Sequence, residues 1–368
     1  MNFRTVKAIA VLEAKRLIRA RMALTLLLIV PVFQIILFGY AIKPGEATVR
    51  VSVAAPTQQN ARDVVDALRK LPSVRIIDPV GASGAAERAV RNGQATIGVE
   101  VPRVRSMADP TAPGGPIRII VDATDPLLTM VAVTRIEGAY QAERVARSDM
   151  AGAGPGLRVE RLFNPDARSD WTYAPALAGV TVMIAMVMLG SIGIAREREG
   201  GSWETFRSLP VAPAELIAGK LAPHVVIGTA QGLLVLLTGH LLFGLPLPGA
   251  TAALVLLLPL FAAAHCLIGF VISARAATQL SALQGAVAFY LPAMLLSGFL
   301  YPFETLPKWA QIIGDIFPLS HFIRAAHDAV LRERDVLTVL AHGLPILAFL
   351  AIALLVAQRA CCNQTADL

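Results

Sequence analysis

Few side chains in this 368-residue sequence have the types and spacing needed for catalysis. His265 lies in an apolar run, and Glu304 and His321 lie in a later segment rich in proline and aromatic residues. An imidazole and a carboxylate can exchange a proton with a substrate, so an enzyme that uses these residues is one hypothesis. Lone polar residues in apolar surroundings are more often hydrogen-bonded between helices, and we favour that structural interpretation of His265.

Phosphate and metal chemistry would need patterns that the sequence lacks. A nucleotide-binding loop has the pattern G-x-x-x-x-G-K-[ST], but the Gly219-Lys220 pair is followed by leucine and lacks the upstream glycine. Cys266, Cys361 and Cys362 show neither the paired spacing of a metal site nor a disulfide framework. The sequence therefore predicts no catalytic residue, no metal site and no cofactor bound by this chain.

A loop of dense mixed charge, residues 196–213, is suited to bind another protein. In a short helix, Trp203, Phe206 and Leu209 would share one face, and Pro210 would end that helix. An exposed helix that carries both an apolar stripe and charges can dock in a groove on a partner. The alternative is a solvated loop whose basic side chains extend toward water.

The elements around these residues are mostly apolar. Hydrophobic residues make up 55% of the chain and charged residues only 16%, against about a quarter in soluble domains. Six stretches reach the roughly 20 residues that a helix needs to cross a bilayer. They are residues 22–42, 174–195, 221–243, 250–273, 279–300 and 337–357.

The interiors of these stretches contain no Asp, Glu, Lys or Arg. Proton relays and ion pathways usually need such a group in the membrane, so this absence argues against a proton-coupled transporter or a charge-selective channel. Energy for any transport should therefore come from outside the bilayer. The polar residues that remain in the stretches are candidates to line a transport path: Gln34, Gln231, His265 and Gln284.

Residues 1–21 are predicted to form an amphipathic helix on the cytoplasmic face of the membrane. The segment is rich in basic residues, among them Arg16 and Arg19, and Glu13 is its one acidic residue. Its apolar residues recur at helical spacing. The competing interpretation is a cleaved signal peptide, since Gly39-Tyr40-Ala41 loosely resembles a cleavage site. The long apolar run and the five later spans favour an uncleaved anchor. The net charge of +7 forms no basic stripe with interleaved aromatics, so we predict no nucleic-acid partner.

With the N-terminus inside, residues 43–173 are predicted to form an extracytoplasmic α/β domain. Its pattern alternates Val- and Ile-rich strands with amphipathic helices. The predicted strands are Val49–Ala55, Val74–Asp78, Ala95–Val101 and Ile117–Ala123, and the predicted helices are Ala61–Leu71, Ser83–Asn92 and Pro126–Ser148.

The remaining connections follow by alternation across the membrane. Residues 196–220 are predicted to be a cytoplasmic loop, residues 301–336 an external segment with half-inserted helices, and residues 358–368 a cytoplasmic tail. The fold class is thus an α-helical membrane protein with six transmembrane helices, an N-terminal amphipathic helix and an inserted extracytoplasmic α/β domain. The external segment is marked by Gly298, Pro302, Glu304, Pro307 and Pro318.

This arrangement resembles the permease subunits of type 2 ATP-binding-cassette exporters that carry a large periplasmic domain. The order of one span, a large external domain and five spans covers nearly the whole chain. Four short motifs carry the resemblance in the right order: Asp122-Ala123-Thr124-Asp125-Pro126, Phe163-Asn164-Pro165, the Arg-Glu-Arg-Glu-Gly-Gly loop with Glu204 and Leu209-Pro210-Val211, and Ser297-Gly298 with Pro302, Glu304, Leu306-Pro307 and Pro318. Ser202 stands where the family commonly has threonine.

The resemblance implies several partners. A homodimer or a pair of similar subunits would bind two cytosolic ATPase subunits, which would hold ATP and Mg²⁺, with membrane lipid around the spans. Residues 196–213 would be the coupling helix and residues 1–21 the elbow helix. The resemblance also implies a periplasmic adaptor and an outer-membrane channel as further partners. It implies a bacterial inner-membrane location with cytoplasmic termini. The residues assigned to ATPase coupling are Glu197, Glu199, Trp203, Glu204, Phe206, Arg207 and Pro210.

The function expected from the sequence is the permease subunit of an ATP-driven exporter that works by alternating access. Apolar spans with few charges favour a lipophilic substrate, drug-like or lipid-like, over an ion. The alternative is a membrane-anchored sensor or assembly protein that uses the external domain for recognition without transport. A stable ATPase partner would distinguish the first function from the second.

Overall fold

A computed structural model gives the architecture of the chain. It describes residues 2–19, 25, 29, 31–32, 49–56, 64–66, 68–71, 74–101, 117–124, 132–134, 136–140, 157–164, 168–201 and 211–366. The chain divides into two compact units. The sheet unit comprises Ile42–Thr172 and Glu304–Leu306, and the helical unit comprises Met1–Ala41, Tyr173–Phe303 and Pro307–Leu368.

The described elements follow one another as helix, sheet unit and helices. In chain order they are α1 (Phe3–Arg19), β1 (Val49–Ala54), β2 (Val74–Gly81), α2 (Ala85–Arg91), β3 (Ile97–Glu100), β4 (Ile117–Asp122), β5 (Leu157–Leu162), α3 (Ser169–Glu199), α4 (Pro213–Phe243), α5 (Thr251–Arg275), α6 (Gln279–Leu296), a 3₁₀ turn (Phe303–Thr305), α7 (Lys308–Gly314), α8 (Pro318–Val330), α9 (Val336–Ala341) and α10 (Gly343–Ala366).

The sheet unit contains a five-stranded mixed sheet with the order β2-β1-β3-β4-β5. β1 runs parallel to both β2 and β3, with Val51 opposite Ile97 in the β1–β3 pair. β3 and β4 are antiparallel, and β4 and β5 are parallel. The predicted α/β character is therefore confirmed, and β5 is a fifth strand beyond the four that the sequence predicts.

Both faces of the sheet are covered by helical residues. Val51, Ile97 and Ile119 belong to a buried cluster that also includes helical residues between positions 64 and 69 and between 132 and 140. On the other face, Val90 of α2 packs with Ile120. A strand covered on both faces needs apolar residues at consecutive positions, and β4 has them in Ile119-Ile120-Val121. β1 and β5 instead interleave apolar with polar residues. The predicted helices 61–71 and 126–148 lie partly outside the described residues.

Two of the family-like motifs close elements of the sheet unit. After β4, the backbone N–H of Thr124 donates to Asp122 Oδ1 over 3.0 Å, which forms a tight turn. Before α3, the Asn164 side chain donates to the Arg168 carbonyl oxygen over 2.9 Å and accepts from the Arg168 N–H over 3.0 Å. These motif residues therefore shape the backbone at strand and helix ends.

A charged group joins three neighbouring strands of the same sheet, β3, β4 and β5. Arg118 on β4 lies 2.5 Å from Glu160 of β5 and 3.1 Å from Glu100 of β3. The hydrogen bond from Arg118 lowers the pKa of the Glu160 carboxyl below its ordinary value. Cross-strand pairs of opposite charge of this kind stabilise a sheet by a few tenths of a kcal/mol, up to about 1 kcal/mol.

The helical unit is built around α5. This helix packs against α4, α6, α8, α9 and α10, and Phe261 near its middle lies 4.5 Å from Phe322 of α8 between ring centroids. Apolar residues all around α5 suit a helix that is enclosed by other helices. Its large side chains with at most 1% exposure include Leu254, Leu258, Phe261 and Phe270.

Five described helices are long and apolar enough to cross a membrane: Asp170–Glu199, Pro213–Phe243, Thr251–Arg275, Gln279–Leu296 and Val336–Ala360. The helical membrane character is confirmed. The predicted first span, residues 22–42, lies mostly outside the described residues. α3 and α4 extend beyond the predicted apolar stretches, because helical hydrogen bonding continues into polar sequence that a hydropathy window excludes. α6 ends at Leu296, four residues before its predicted end.

We expect residues 45–170 expressed alone to fold, since the main core cluster of the sheet unit is formed by its own residues. Within that fragment, Gly98→Val should lower stability by about 1–3 kcal/mol, because overpacking forces backbone shifts. A Cβ at position 98 would lie 2.7 Å from the Ala86 carbonyl oxygen. Circular dichroism, NMR and thermal unfolding measure both effects.

Gly138→Ala is the matched control for that substitution, since a Cβ there meets nothing within 4 Å. Its unfolding midpoint should stay level or rise. A disordered fragment would contradict an independent domain, and equal effects of the two substitutions would contradict the close packing at Gly98.

Candidate functional site

The amphipathic helix α1 packs directly on α4, the helix that follows the mixed-charge loop. A Cβ on Gly219 would lie only 2.7 Å from Ile9, so glycine at this position allows the two helices their close approach. Ile9 is buried, while Phe3 and Ile18 of α1 are exposed. α1 therefore has one side against the helical unit and another available to the surroundings.

Next to this contact lies an ion cluster, buried except for Arg16, that we call the inner charge cluster: Glu13, Arg16, Glu197 and Lys220. The Lys220 ammonium donates to Glu197 Oε1 over 2.7 Å and to Glu13 Oε2 over 3.4 Å. The side chains of Lys220 and Glu197 are 2% and 4% exposed, so both charges are removed from water. Such a group is stable in an apolar environment only when it is paired.

Arg16 completes the cluster from α1. Its guanidinium lies 2.5 Å from Glu197 Oε1 and 3.7 Å from Glu13 Oε2. Two carboxylates and two cations thus balance one another. The four residues come from three helices, and Glu197 and Lys220 flank the connection between α3 and α4.

Further polar contacts hold the same end of the unit. The Asn2 backbone N–H donates to Glu215 Oε1 near the start of α4. His224 Nδ1 lies 2.7 Å from the Lys220 carbonyl oxygen one turn earlier in α4. Both contacts involve α4, so α1 and the first turns of α4 form one polar network.

The end of α3 is also tied to the connection between α5 and α6. Glu199 accepts hydrogen bonds from the backbone N–H of Gln279, over 2.8 Å, and from its side-chain amide. Arg198 donates to the carbonyl oxygens of Ala274 and Ala276 over 3.2 and 3.0 Å. Consequently, the last turn of α3 is fixed by α1, α4 and the α5–α6 connection together.

The predicted coupling residues have different outcomes in the structure. Glu197 and Glu199 lie on the last turn of α3 and contact residues of the same chain. Arg16 joins Glu197, and Arg19 is exposed at the end of α1. Their role in coupling stays a prediction. Five of the predicted residues lie outside the described residues: Trp203, Glu204, Phe206, Arg207 and Pro210.

The candidate path residues are not all accessible. Gln231 and His265 are 2% and 0% exposed, whereas Gln284 is exposed on α6, and Gln34 lies outside the described residues. We expected His265 to bond between helices. Instead its Nδ1 lies 2.9 Å from the Phe261 carbonyl oxygen of its own helix, one turn earlier. That geometry satisfies one ring nitrogen locally, so the interhelical expectation was wrong for this atom.

The other residues of the enzyme hypothesis have separate partners. His321 Nε2 lies 2.8 Å from the Asp315 carbonyl oxygen, and Glu304 lies 3.8 Å from Arg50. Within the described ranges, no group of three or more His, Cys, Asp or Glu side chains could hold a metal ion. These contacts favour structural roles for both residues.

In the external segment, glycine and proline mark the ends of elements. Gly298 has φ +88° just after α6, where a side chain would be strained. Pro307 precedes α7 and Pro318 is the first residue of α8, where its fixed φ suits a helix start. Pro302 is half-buried ahead of the 3₁₀ turn that contains Glu304.

A second buried carboxylate lies at the end of α8. Asp328 Oδ2 is 2.9 Å from His342 Nε2, and Asp328 Oδ1 is 3.0 Å from Arg332. Burial works against ionisation of the Asp328 carboxyl, but the hydrogen bond from His342 and the charge of Arg332 lower its pKa below the usual value. Asp328 therefore stays ionised where three helices, α8, α9 and α10, meet.

Sequence reasoning missed Glu13 and Lys220 as site residues. Lys220 stood beside an apolar stretch, where a lysine usually extends toward water. One signal was available: Glu13 is the only acidic residue in a basic amphipathic segment, and it lies four positions after Ile9 on the same face. A buried acid there needs a cationic partner, and the structure supplies Arg16 of the same helix and Lys220 of α4.

These features define a multi-pass membrane protein of helical type, with an inserted sheet unit and a charged network at the α3–α4 connection. Residues 22–357 match the family described as "ABC-2 family transporter protein". The chain belongs to this family of transporter permeases.

Individual relatives agree with that membership. The probable multidrug ABC transporter permease YbhS of Escherichia coli K12 is 25% identical over 334 residues, which cover 88% of this chain and 87% of YbhS. YbhR of the same organism, with the same description, is 24% identical over 330 residues, 87% of this chain and 88% of YbhR. The linearmycin resistance permease protein LnrN of Bacillus subtilis 168 is 30% identical over 181 residues, 49% of this chain and 47% of LnrN.

We predict that the inner charge cluster stabilises the helical unit as a coupled set. Lys220→Met should cost about 3–5 kcal/mol, because it leaves two buried carboxylates with one cation. Lys220→Met combined with Glu197→Gln should cost less than the sum of the single substitutions, since the pair is then removed together. Thermal unfolding of the purified protein in detergent measures the cycle.

Lys15→Met is the control, because Lys15 is exposed on α1 and a change there should leave the unfolding midpoint within about 0.5 kcal/mol. Additive losses in the cycle would show that Lys220 and Glu197 do not interact energetically.

Proposed function

We propose that this chain is the permease subunit of an ATP-driven exporter, and that the α3–α4 connection receives the motion of a separate cytosolic ATPase. The observation that carries the proposal is the inner charge cluster. It joins α1 to both flanks of residues 200–212. A displacement of this connection would therefore be passed to α1, α3 and α4 at once instead of being absorbed by a loose loop.

The contacts around the cluster support a rigid connection. Glu197 and Arg198 at the end of α3, with Lys220 in α4, have partners on other helices within 3.4 Å. Motion travels through packed elements that have discrete arrangements, not through solvated chain. Two ion-paired flanks are the arrangement that a docked coupling helix needs.

ATP hydrolysis is assigned to a partner because the sequence lacks a nucleotide-binding loop. Trp203 and Phe206 would anchor the partner, since aromatic residues dominate interface energies. Glu204 and Arg207 would set its orientation through pairs at the rim, and Pro210 would end the docking helix before α4. Glu199 is the remaining predicted contact. It would have to contact the ATPase while it also accepts hydrogen bonds from Gln279.

A lipophilic molecule, drug-like or lipid-like, is the proposed substrate. Along the described spans, the apolar stretches 174–195, 221–243, 250–273, 279–300 and 337–357 contain no charged side chain, which favours an apolar path over an ion path. Relatives named as multidrug and linearmycin resistance permeases support this class. Gln284, exposed on α6, is a candidate path residue, whereas Gln231 and His265 would need a rearrangement to reach a substrate.

The working assembly that we propose has two copies of this chain, or this chain with a similar permease, and two ATPase subunits. Residues 22–42 would supply a sixth span, which gives cytoplasmic termini and an extracytoplasmic sheet unit. Transport would follow alternating access. A bacterial inner-membrane location, with a periplasmic adaptor and an outer-membrane channel as partners, completes the proposal.

Topology offers a direct test of this orientation. In a background without Cys266, Cys361 and Cys362, a cysteine at Ser83 should react with a membrane-impermeant thiol reagent in intact cells. Ser83 is exposed in the sheet unit. A cysteine at Ser208 should react only after the membrane is permeabilised. Equal labelling of both positions in intact cells would contradict the six-span topology.

The coupling role is tested by combining Trp203→Ala, Glu204→Ala and Phe206→Ala. Each lost aromatic anchor should weaken ATPase capture by about 2 kcal/mol or more, while membrane insertion and dimerisation stay intact. Co-purification of the ATPase and transport into inverted membrane vesicles measure the effect. Trp309→Ala with Ile312→Ala, which changes exposed apolar residues of α7, is the control. If the triple variant captured the ATPase and transported substrate as well as the unchanged protein, the coupling role would be contradicted and the loop would be a solvated connection.

A further inference from the structure

A cavity of about 730 Å³ lies beside the inner charge cluster, where α1, α3, α4 and α6 meet. Its size falls within the range of about 300–1,000 Å³ that proteins use for small ligands. The described residues that decide its chemistry come from the last turns of α1 and α3. They are Arg16, Leu17, Arg19, Leu189, Ile192 and Arg196.

The carboxylates around this cavity already have partners. Glu13 and Glu197 are balanced by Lys220 and Arg16, and Glu199 accepts two hydrogen bonds from Gln279. In contrast, Arg19 and Arg196 are exposed, and no described residue forms an ion pair with either. Two guanidinium groups are therefore available to an anion from outside the chain.

Apart from His224 and Gln279, which are hydrogen-bonded to Lys220 and Glu199, the remaining side chains of the wall are apolar. Leu17 continues the face of α1, and Leu189 and Ile192 lie on α3 one to two turns before Arg196. An anion without an apolar part would leave this surface uncovered. Basic pockets beside membrane helices are characteristic sites for phospholipid head groups, with the acyl chain against apolar side chains.

We propose that this cavity binds an anionic glycerophospholipid. Its phosphodiester would accept hydrogen bonds from Arg19 and Arg196, and the first part of one acyl chain would cover Leu17, Leu189 and Ile192. Guanidinium is the side chain best matched to phosphate, because its N–H groups can bind two oxygens at once. The lipid would bridge α1 and α3 beside the inner charge cluster.

The test uses the full-length protein, purified in detergent and stripped of lipid, with dioleoylphosphatidylglycerol as the probe. Native mass spectrometry counts the lipid molecules that stay bound, and thermal unfolding measures their stabilising effect. Arg19→Gln with Arg196→Gln should weaken binding at least tenfold. Lys7→Gln with Lys15→Gln removes the same charge from exposed positions of α1 outside the cavity and should leave binding unchanged.

Two further arms separate the sources of the anion. Inorganic phosphate at the same concentration should neither displace the lipid nor stabilise the protein, and Leu17→Ala should weaken lipid binding while both arginines remain. Competition by phosphate as effective as that by lipid would make this a soluble-anion site and overturn the proposal. Equal losses in the two double variants would also overturn it, since the lipid would then be bound only by general surface charge.

The lipid proposal depends on the proposed function in one respect. The orientation of the chain in the membrane decides which leaflet supplies the lipid. Binding is measured without ATP, ATPase or transport. Loss of coupling in the Trp203, Glu204 and Phe206 variant would therefore leave the lipid result intact, and the two proposals can fail separately.

Discussion

A lysine ammonium removed from water among apolar helices is stable only where carboxylates reach it, and this requirement determines much of the helical unit. Lys220 lies 2.7 Å from Glu197 and 3.4 Å from Glu13. Glu197 places the last turn of α3, Glu13 places α1, and Lys220 itself belongs to α4. Removing any one partner leaves an uncompensated charge, so the three helix ends must stay together. The proposed coupling function depends on this constraint.

The same solution recurs at the other polar cluster of the helical unit. Asp328 is satisfied by Arg332 of the segment after α8 and by His342 between α9 and α10. α5 is mostly apolar, with His265 bonded to its own backbone, and its Phe261 packs ring against ring with Phe322 of α8. Charged contacts thus join helix ends, while apolar packing fills the middle. An apolar middle also suits a path for a lipophilic substrate, because no fixed charge has to be passed.

Much of this architecture could be predicted from the sequence, since hydropathy detects apolar helices and Val-rich strands detect a buried sheet. The lengths of α3 and α4 could not, because the polar last turn of α3 and the polar first turns of α4 have no hydropathy signal. The pairing of Lys220 with Glu13 was also beyond reach. It joins residues 207 positions apart, and no local pattern links them. His265 shows a different error. Its hydrogen-bond partner was expected on another helix, but the partner is the Phe261 carbonyl oxygen of its own helix.

The distances in sequence within the inner charge cluster also impose an order on biogenesis. Arg16 precedes Glu197 by 181 residues, and Glu13 precedes Lys220 by 207. At ribosomal speeds of about 5–20 residues per second, roughly 10–40 s separate the synthesis of α1 from that of its partners. During this interval the nascent α1 has charges on the side that will later be buried. It must rest at the aqueous surface of the bilayer until α3 and α4 are inserted, so assembly of this corner is a late, post-insertion event.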